Sequence, residues 1–122
     1  MDTVLLDLDG VIYQGDSALP GALATLKWLR QENIPHLFLT NTTSRPASAV
    51  ISKLNAMDIE IDPDQLLTPV IVARHWLKQN AAKRVACLIA EQSLEDLSGL
   101  ELLAYPDQAK VDAVIVGDLA GD

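Results

Sequence analysis

The sequence predicts an α/β fold built on a doubly wound parallel sheet, for three reasons. Short apolar runs typical of buried strands alternate with amphipathic helical patterns along the 122 residues. Two of these runs end in clusters of polar residues, as strands do at the ligand crevice of a parallel sheet. The composition is 49% hydrophobic, which is typical of a globular domain with a real core.

Each element has its own signal in the chain. The strands are predicted as short apolar runs at residues 3–6, 34–39, 84–89 and 111–116. Helices are predicted from apolar residues at helical spacing over residues 20–31, 46–57 and 69–77, with a short helix at 93–97. Thr68 should cap the third helix and Pro69 should open it. Trp28 is expected to pack against the sheet, and the first strand is expected to be buried.

The first strand leads into the sequence DLDGVIY at residues 7–13. Side chains alternate along an extended chain, so Asp7 and Asp9 should point to one side, and Gly10 allows the backbone to turn sharply. Two carboxylates held this way suit nucleophilic attack, acid–base chemistry and Mg²⁺ binding. A calcium loop is excluded because Val11 and Ala18 would occupy ligand positions, whereas a plain hairpin or surface turn stays open on this motif alone.

A second polar cluster, TNTTSRP at residues 40–46, follows the predicted strand at 34–39. Hydroxyl and amide groups ahead of a helix N-terminus are donors that suit a phosphate oxygen. Thr43 or Ser44 could also serve as an ordinary helix cap. Thr40 and Asn41 lie too early in the chain to do so, and this favours a binding role for them.

Together, DLDGVIY and LFLTNTTS about thirty residues later resemble the haloacid dehalogenase superfamily of aspartate-nucleophile phosphatases. The stretches PGA at residues 20–22 and DQLLTP at 64–69 are similar to its subclass IIA. That subclass carries a large cap after the second motif and contains nucleotide, phosphoglycolate and nitrophenyl phosphate phosphatases. The resemblance implies a Mg²⁺-dependent phosphomonoester hydrolase that acts through a phosphoaspartyl intermediate.

The resemblance also implies roles for individual residues. Asp7 would be the nucleophile and Asp9 the general acid and base. Gly10, Thr40 and Asn41 would form the substrate-binding set, with Thr40 bonded to the phosphoryl group. Mg²⁺ would be held by the Asp7 carboxylate, by the backbone carbonyl of Asp9 and by an acid from a later motif.

The family's Lys and its last acidic motif are not evident in the chain. Asp118 and Asp122 have the form of that acidic motif, but no helix with a suitable Lys precedes them. We therefore prefer to assign the strand at 111–116 to a cap. The expected domains are the N-terminal part of the core at residues 1–80 and the start of a cap at 81–122, so that the chain is the N-terminal portion of a larger enzyme.

Two other interpretations of the chain differ from a phosphatase. The chain could be a non-catalytic fragment or protein-binding module that keeps the core motifs. A phospho-accepting receiver domain is disfavoured, because receivers carry their phosphorylated Asp after a later strand.

Charge and composition exclude several partner classes. Nine Lys and Arg against 17 Asp and Glu give a net charge of -8, which argues against a nucleic-acid surface. No apolar run predicts a membrane span, and the start of the chain does not resemble a signal sequence. The single Cys87 is expected to be a buried thiol, which fits a cytoplasmic protein. The expected partner is a small phosphorylated metabolite, and the sequence leaves a homo-oligomer open.

Overall fold

The computed structural model describes residues 2–103 and 110–119. Its secondary structure is α/β, as predicted. The strands in these residues, in chain order, are β1 Val4–Asp7, β2 Tyr13–Gln14, β3 Ser17–Ala18, β4 His36–Leu39, β5 Leu66–Leu67, β6 Arg84–Leu88, β7 Glu101–Leu103 and β8 Ala113–Val116. The α-helices are α1 Ala22–Gln31, α2 Ala47–Asn55 and α3 Pro69–Gln79, and 3₁₀ helices span Pro63–Gln65 and Glu91–Leu97.

The chain divides into two compact units. The first comprises Met1–Asn41 and Ala47–Leu67, and the second comprises Thr42–Pro46 and Thr68–Asp122. Helix α3 therefore groups with the second unit. The predicted division into a core at 1–80 and a cap at 81–122 stays a prediction.

The first unit contains a parallel sheet in the order β1-β4-β5. Its central strand β4 buries Phe38 completely, and α1 and α2 bury one apolar stripe each. The stripes consist of Ala22, Leu26 and Leu29 in α1, and of Ala47, Val50 and Leu54 in α2. Parallel strands need such coverage, because they are normally buried among helices.

Two expectations for the first unit are wrong. Leu5 is 59% exposed, since β1 lies at the end of its sheet and pairs within the described residues only with β4. Trp28 is 52% exposed, since it lies off the stripe formed by Leu26 and Leu29. Of the leucines at helical spacing in α1, Leu26 and Leu29 are buried as predicted, whereas Leu23 is 45% exposed. Periodicity therefore predicted the buried face of α1 only in part.

The second unit contains a parallel sheet in the order β7-β6-β8. Helix α3 begins as predicted, because Thr68 Oγ1 accepts the N–H of Ile71 at 3.1 Å and Pro69 follows. Two apolar clusters hold this unit together, one around Val70, Ile89 and Leu97 and the other around Leu77, Ala82 and Val85. Cys87 packs against both clusters but is only half-buried, and burial raises the pKa of its thiol.

Strand β8 pairs in parallel with β6, with Ala86 opposite Val114 and Leu88 opposite Val116. A cap strand at residues 111–116 is expected to pair in this way with the strand predicted at 84–89, and β8 and β1 belong to different sheets. Asp118 follows β8, and its carbonyl accepts the N–H of Ala90 at 3.1 Å. Asp122 lies outside the described residues.

Candidate active site

Asp7 is the last residue of β1, and it is paired with Leu39, the last residue of β4. The two strands run in parallel, so both chains leave the sheet at the same edge. Asp7 is exposed, and its Oδ1 accepts the N–H of Leu8 at 2.8 Å. This bond fixes one carboxylate oxygen against the backbone, at the edge where ligands of parallel sheets bind.

Thr40 and Asn41 follow β4 directly, so they leave the sheet at the edge where Asp7 lies. The N–H of Thr40 donates to the carbonyl of Leu67 at 3.1 Å, which extends the pairing of β4 with β5 by one bond. Thr40 is half-buried and Asn41 is exposed. The structure thus brings the predicted substrate-binding residues to the sheet edge that carries the predicted nucleophile.

Asp9 and Gly10 form a tight turn after β1. The N–H groups of Val11, Ile12 and Tyr13 converge on the carbonyl of Leu8, at 3.2, 2.8 and 3.2 Å. Gly10 has a φ of 79°, in the left-handed region that favours glycine. Nothing lies within 4 Å of where its Cβ would be, so backbone conformation rather than space calls for glycine here.

The hairpin alternative is wrong for the Asp9-Gly10 pair itself. A hairpin does follow, but it is formed by β2 and β3, with Tyr13 opposite Ala18 and Gln14 opposite Ser17. Its two-residue loop is Gly15-Asp16, a Gly-Asp pair of the kind that predicts a hairpin. Neither this hairpin nor a role for Tyr13, whose backbone meets the turn, was predicted from the sequence.

The helix-capping alternative for the second motif stays a prediction. Thr43 and Ser44 lie four and three residues before Ala47, where α2 begins. Their carbonyls accept bonds from residues that follow β6. Ser93 Oγ donates to Thr43 at 2.8 Å, and the Gln92 side-chain amide donates to Ser44.

The site offers hard oxygen donors to a cation. Asp7 and Asp9 are both exposed, so an ion or a phosphate can reach them from solvent. Asp9 is paired with Tyr13 by two hydrogen bonds, one from the Tyr13 N–H to the Leu8 carbonyl and one from the Gly10 N–H to the Tyr13 carbonyl. The carbonyl of Asp9 takes no part in these two bonds. In the ranges 2–103 and 110–119, no group of three or more His, Cys, Asp or Glu side chains could hold a metal together.

The chain has two histidines, and neither belongs to a group of three potential metal ligands in the described residues. His36 is buried, and its Nδ1 lies 2.9 Å from the carbonyl of Ile34. His75 is exposed on α3. No helix in the described part of the chain is both long and apolar enough to cross a membrane.

A family profile and the sequences of known proteins were compared with this chain, and both indicate the same family. Residues 4–102 match the profile of the haloacid dehalogenase-like hydrolases. An acid sugar phosphatase from Staphylococcus saprophyticus is 30% identical over 113 residues, covering 93% of this chain and 44% of that protein. This chain thus spans less than half the length of that relative.

Solved structures agree with the sequence relatives. A 4-nitrophenylphosphatase from Thermotoga maritima superimposes with a TM-score of 0.79 at 31% identity, over 94% of this chain and 44% of that one. A glycerol phosphate phosphatase from Mycobacterium tuberculosis, solved with magnesium, gives a TM-score of 0.77 at 27% identity over 95% and 36% of the two chains. The same protein was also solved with calcium. The resemblance to capped phosphatases of subclass IIA is thereby confirmed, and this chain belongs to the haloacid dehalogenase-like hydrolase family.

Proposed function

We propose that this chain carries the nucleophile and phosphate-binding residues of a Mg²⁺-dependent phosphomonoester hydrolase. The observation that carries the proposal is the pairing of Asp7 with Leu39, which sets a carboxylate and the Thr40-Asn41 pair at one sheet edge. The named relatives are an acid sugar phosphatase, a 4-nitrophenylphosphatase and a glycerol phosphate phosphatase. The substrate class that we propose is therefore a small phosphorylated metabolite.

Asp7 has the chemistry and position of a nucleophile. Its exposed carboxylate would attack phosphorus, forming a phosphoaspartyl bond as the ester P–O bond breaks. Asp9 would donate its proton to the leaving oxygen, and general acid–base help of this kind is worth about 10² to 10⁴ in rate. Asp9 would then take a proton from water as that water attacks the phosphoaspartyl phosphorus, which releases phosphate and restores Asp7.

Thr40 and Asn41 would orient the phosphoryl group. A hydroxyl and a side-chain amide both donate hydrogen bonds, and phosphate oxygens accept them. The Thr40 backbone is held by Leu67, so its side chain leaves the sheet from a fixed point. A donor held in advance binds charge that develops during the reaction without reorganising.

The residues fit Mg²⁺ in their donor chemistry. The Asp7 carboxylate and the Asp9 carbonyl would hold the ion, since both are oxygen ligands of the type that it prefers. When bound, the ion would offset the repulsion between a carboxylate and a phosphate, which is about 4 kcal/mol per charge pair at 4 Å and intermediate dielectric.

The test is Asp7→Asn in the complete gene product that contains this chain, assayed on 4-nitrophenyl phosphate with Mg²⁺. We expect hydrolysis to be abolished while circular dichroism stays unchanged. Asp16→Asn is the matched control, since Asp16 lies in the exposed hairpin loop, and it should keep wild-type activity. Activity of Asp7→Asn within tenfold of wild type would remove Asp7 from this role. A wild-type protein without phosphatase activity would favour the non-catalytic module.

A further inference from the structure

Tyr13 holds both peptide groups that flank Asp9. Its carbonyl accepts the N–H of Gly10 at 2.7 Å, and its own N–H donates to the carbonyl of Leu8 at 3.2 Å. Both peptide groups beside Asp9 therefore bond to Tyr13, and the Leu8 carbonyl also accepts the N–H groups of Val11 and Ile12. A displacement of Tyr13 would displace the Asp9 carboxylate with it.

The side chain of Tyr13 is held in turn by a lysine. Tyr13 is only 8% exposed, and Lys53 Nζ lies 4.4 Å from the centroid of its ring. An ammonium group within about 6 Å of an aromatic face is attracted by the negative face of the ring. Lys53 is itself half-buried, and this attraction strengthens when its groups are shielded from water.

Lys53 lies in the last turn of α2, the helix that follows the Thr40-Asn41 segment. Tyr13 belongs to the turn that follows β1, and both residues lie in the first unit. The contact therefore joins the helix after the second motif to the turn of the first motif. Hydrogen bonding within the turn alone does not provide this connection.

We propose that Lys53 is a positioning residue, which holds the Asp9-Gly10 turn in place through the ring of Tyr13. Its importance for catalysis rests on the proposed function, because Asp9 is the proposed acid and base. Its effect on the turn does not depend on catalysis. The two can therefore be tested separately.

The first test measures amide hydrogen exchange of this chain by NMR. Lys53→Met keeps the length of the stem and removes the charge, and it should make the Gly10 and Tyr13 amides exchange about twofold to fivefold faster. Lys53→Arg should restore slow exchange, since a guanidinium also binds an aromatic face. Lys27→Met, on the exposed face of α1, is the matched control and should leave both amides unchanged.

A double-mutant cycle identifies the route of the effect. In a Tyr13→Leu background the ring is absent, so adding Lys53→Met should change Gly10 exchange no further. The proposal is overturned if Lys53→Met leaves both amides unchanged while circular dichroism is intact. It is also overturned if the full effect of Lys53→Met persists without the ring.

The second test is kinetic and uses the complete gene product with 4-nitrophenyl phosphate. Lys53→Met should lower kcat by about fivefold to a hundredfold with KM nearly unchanged, because a misplaced catalytic group slows the reaction more than it weakens binding. Lys53→Arg should recover most of kcat. An unchanged kcat in Lys53→Met would refute a catalytic effect of the positioning. If the wild type has no activity, the proposed function fails, and the exchange experiment still decides whether Lys53 holds the turn.

Discussion

Asp7 and Leu39 end their strands directly opposite each other in one parallel sheet. Everything proposed for the site follows from this register, since it sets the DLDG turn and the Thr40-Asn41 segment at the same edge. A slip of one residue would turn the side chains of β1 to the opposite face. The register therefore determines the site as directly as the identity of its residues.

The first prediction concerns Asp9. In the complete gene product, Asp9→Asn should lower kcat/KM for an alkyl phosphate such as glycerol phosphate by about 10² to 10⁴, because an amide cannot donate the proton that the leaving oxygen requires. The loss should be smaller with a substrate whose leaving group needs no protonation. Equal loss with an alkyl phosphate and with an ester of a strongly acidic phenol would contradict the acid role.

A second prediction concerns metal binding by this chain alone. Titration calorimetry should show Mg²⁺ binding that is millimolar or weaker, because two aspartates do not replace the waters of this ion well. No third ligand group joins them in the described residues. Asp7→Asn should abolish the remaining heat. Micromolar affinity would show that the chain supplies a complete site.

The third prediction uses Asp112, in the second unit. Its carboxylate accepts the N–H of Arg84 at 3.0 Å and that of Lys83 at 2.9 Å. The bond from Arg84, then that from Lys83, lowers the pKa of Asp112 below its usual 3.8. The carboxylate therefore stabilises the fold fully above about pH 4, and this contribution is lost as the pH falls through the lowered pKa.

Urea unfolding checks this prediction. The difference in free energy of unfolding between wild type and Asp112→Asn should be constant from pH 5 to 7 and should shrink below pH 3.8. Trp28→Phe in both proteins leaves Trp76 as the one tryptophan, since the chain has two, so fluorescence reports the second unit. A difference that grows on acidification would refute the assigned direction.

The fourth prediction compares two apolar residues of neighbouring strands. Phe38→Ala should reduce the free energy of unfolding of this chain by about 3–5 kcal/mol, because Phe38 is completely buried. Leu5→Ala should change it by no more than about 0.5 kcal/mol, because Leu5 is 59% exposed. Thermal or urea unfolding of both variants measures the contrast. Equal losses would show that β1 is buried after all.

Local signals in the sequence predicted the local structure well. Helix α3 begins at Pro69 with Thr68 as its N-cap, as predicted, because capping depends only on neighbouring residues. The α/β class and the parallel pairing also followed from the pattern of elements. The hairpin at Gly15-Asp16 was predictable from the same kind of signal and was overlooked.

Non-local facts were less accessible from sequence. The exposure of Leu5 depends on which strands flank β1, and composition does not contain that information. The exposure of Trp28 on α1 was equally hard to predict, because an apolar side chain can lie on either face of a helix. Lys53 and Tyr13 lie forty positions apart, and their contact exists only because α2 folds back over the turn.

The end position of β1 has a practical consequence for handling this chain. A strand bonded on one side presents a row of open donors and acceptors on the other, and such a row is a template on which a further strand can add. Here Val4 and Leu5 add exposed apolar surface beside that row. The net charge of -8 opposes such association by mutual repulsion, so we expect salt or acid to promote aggregation of the chain.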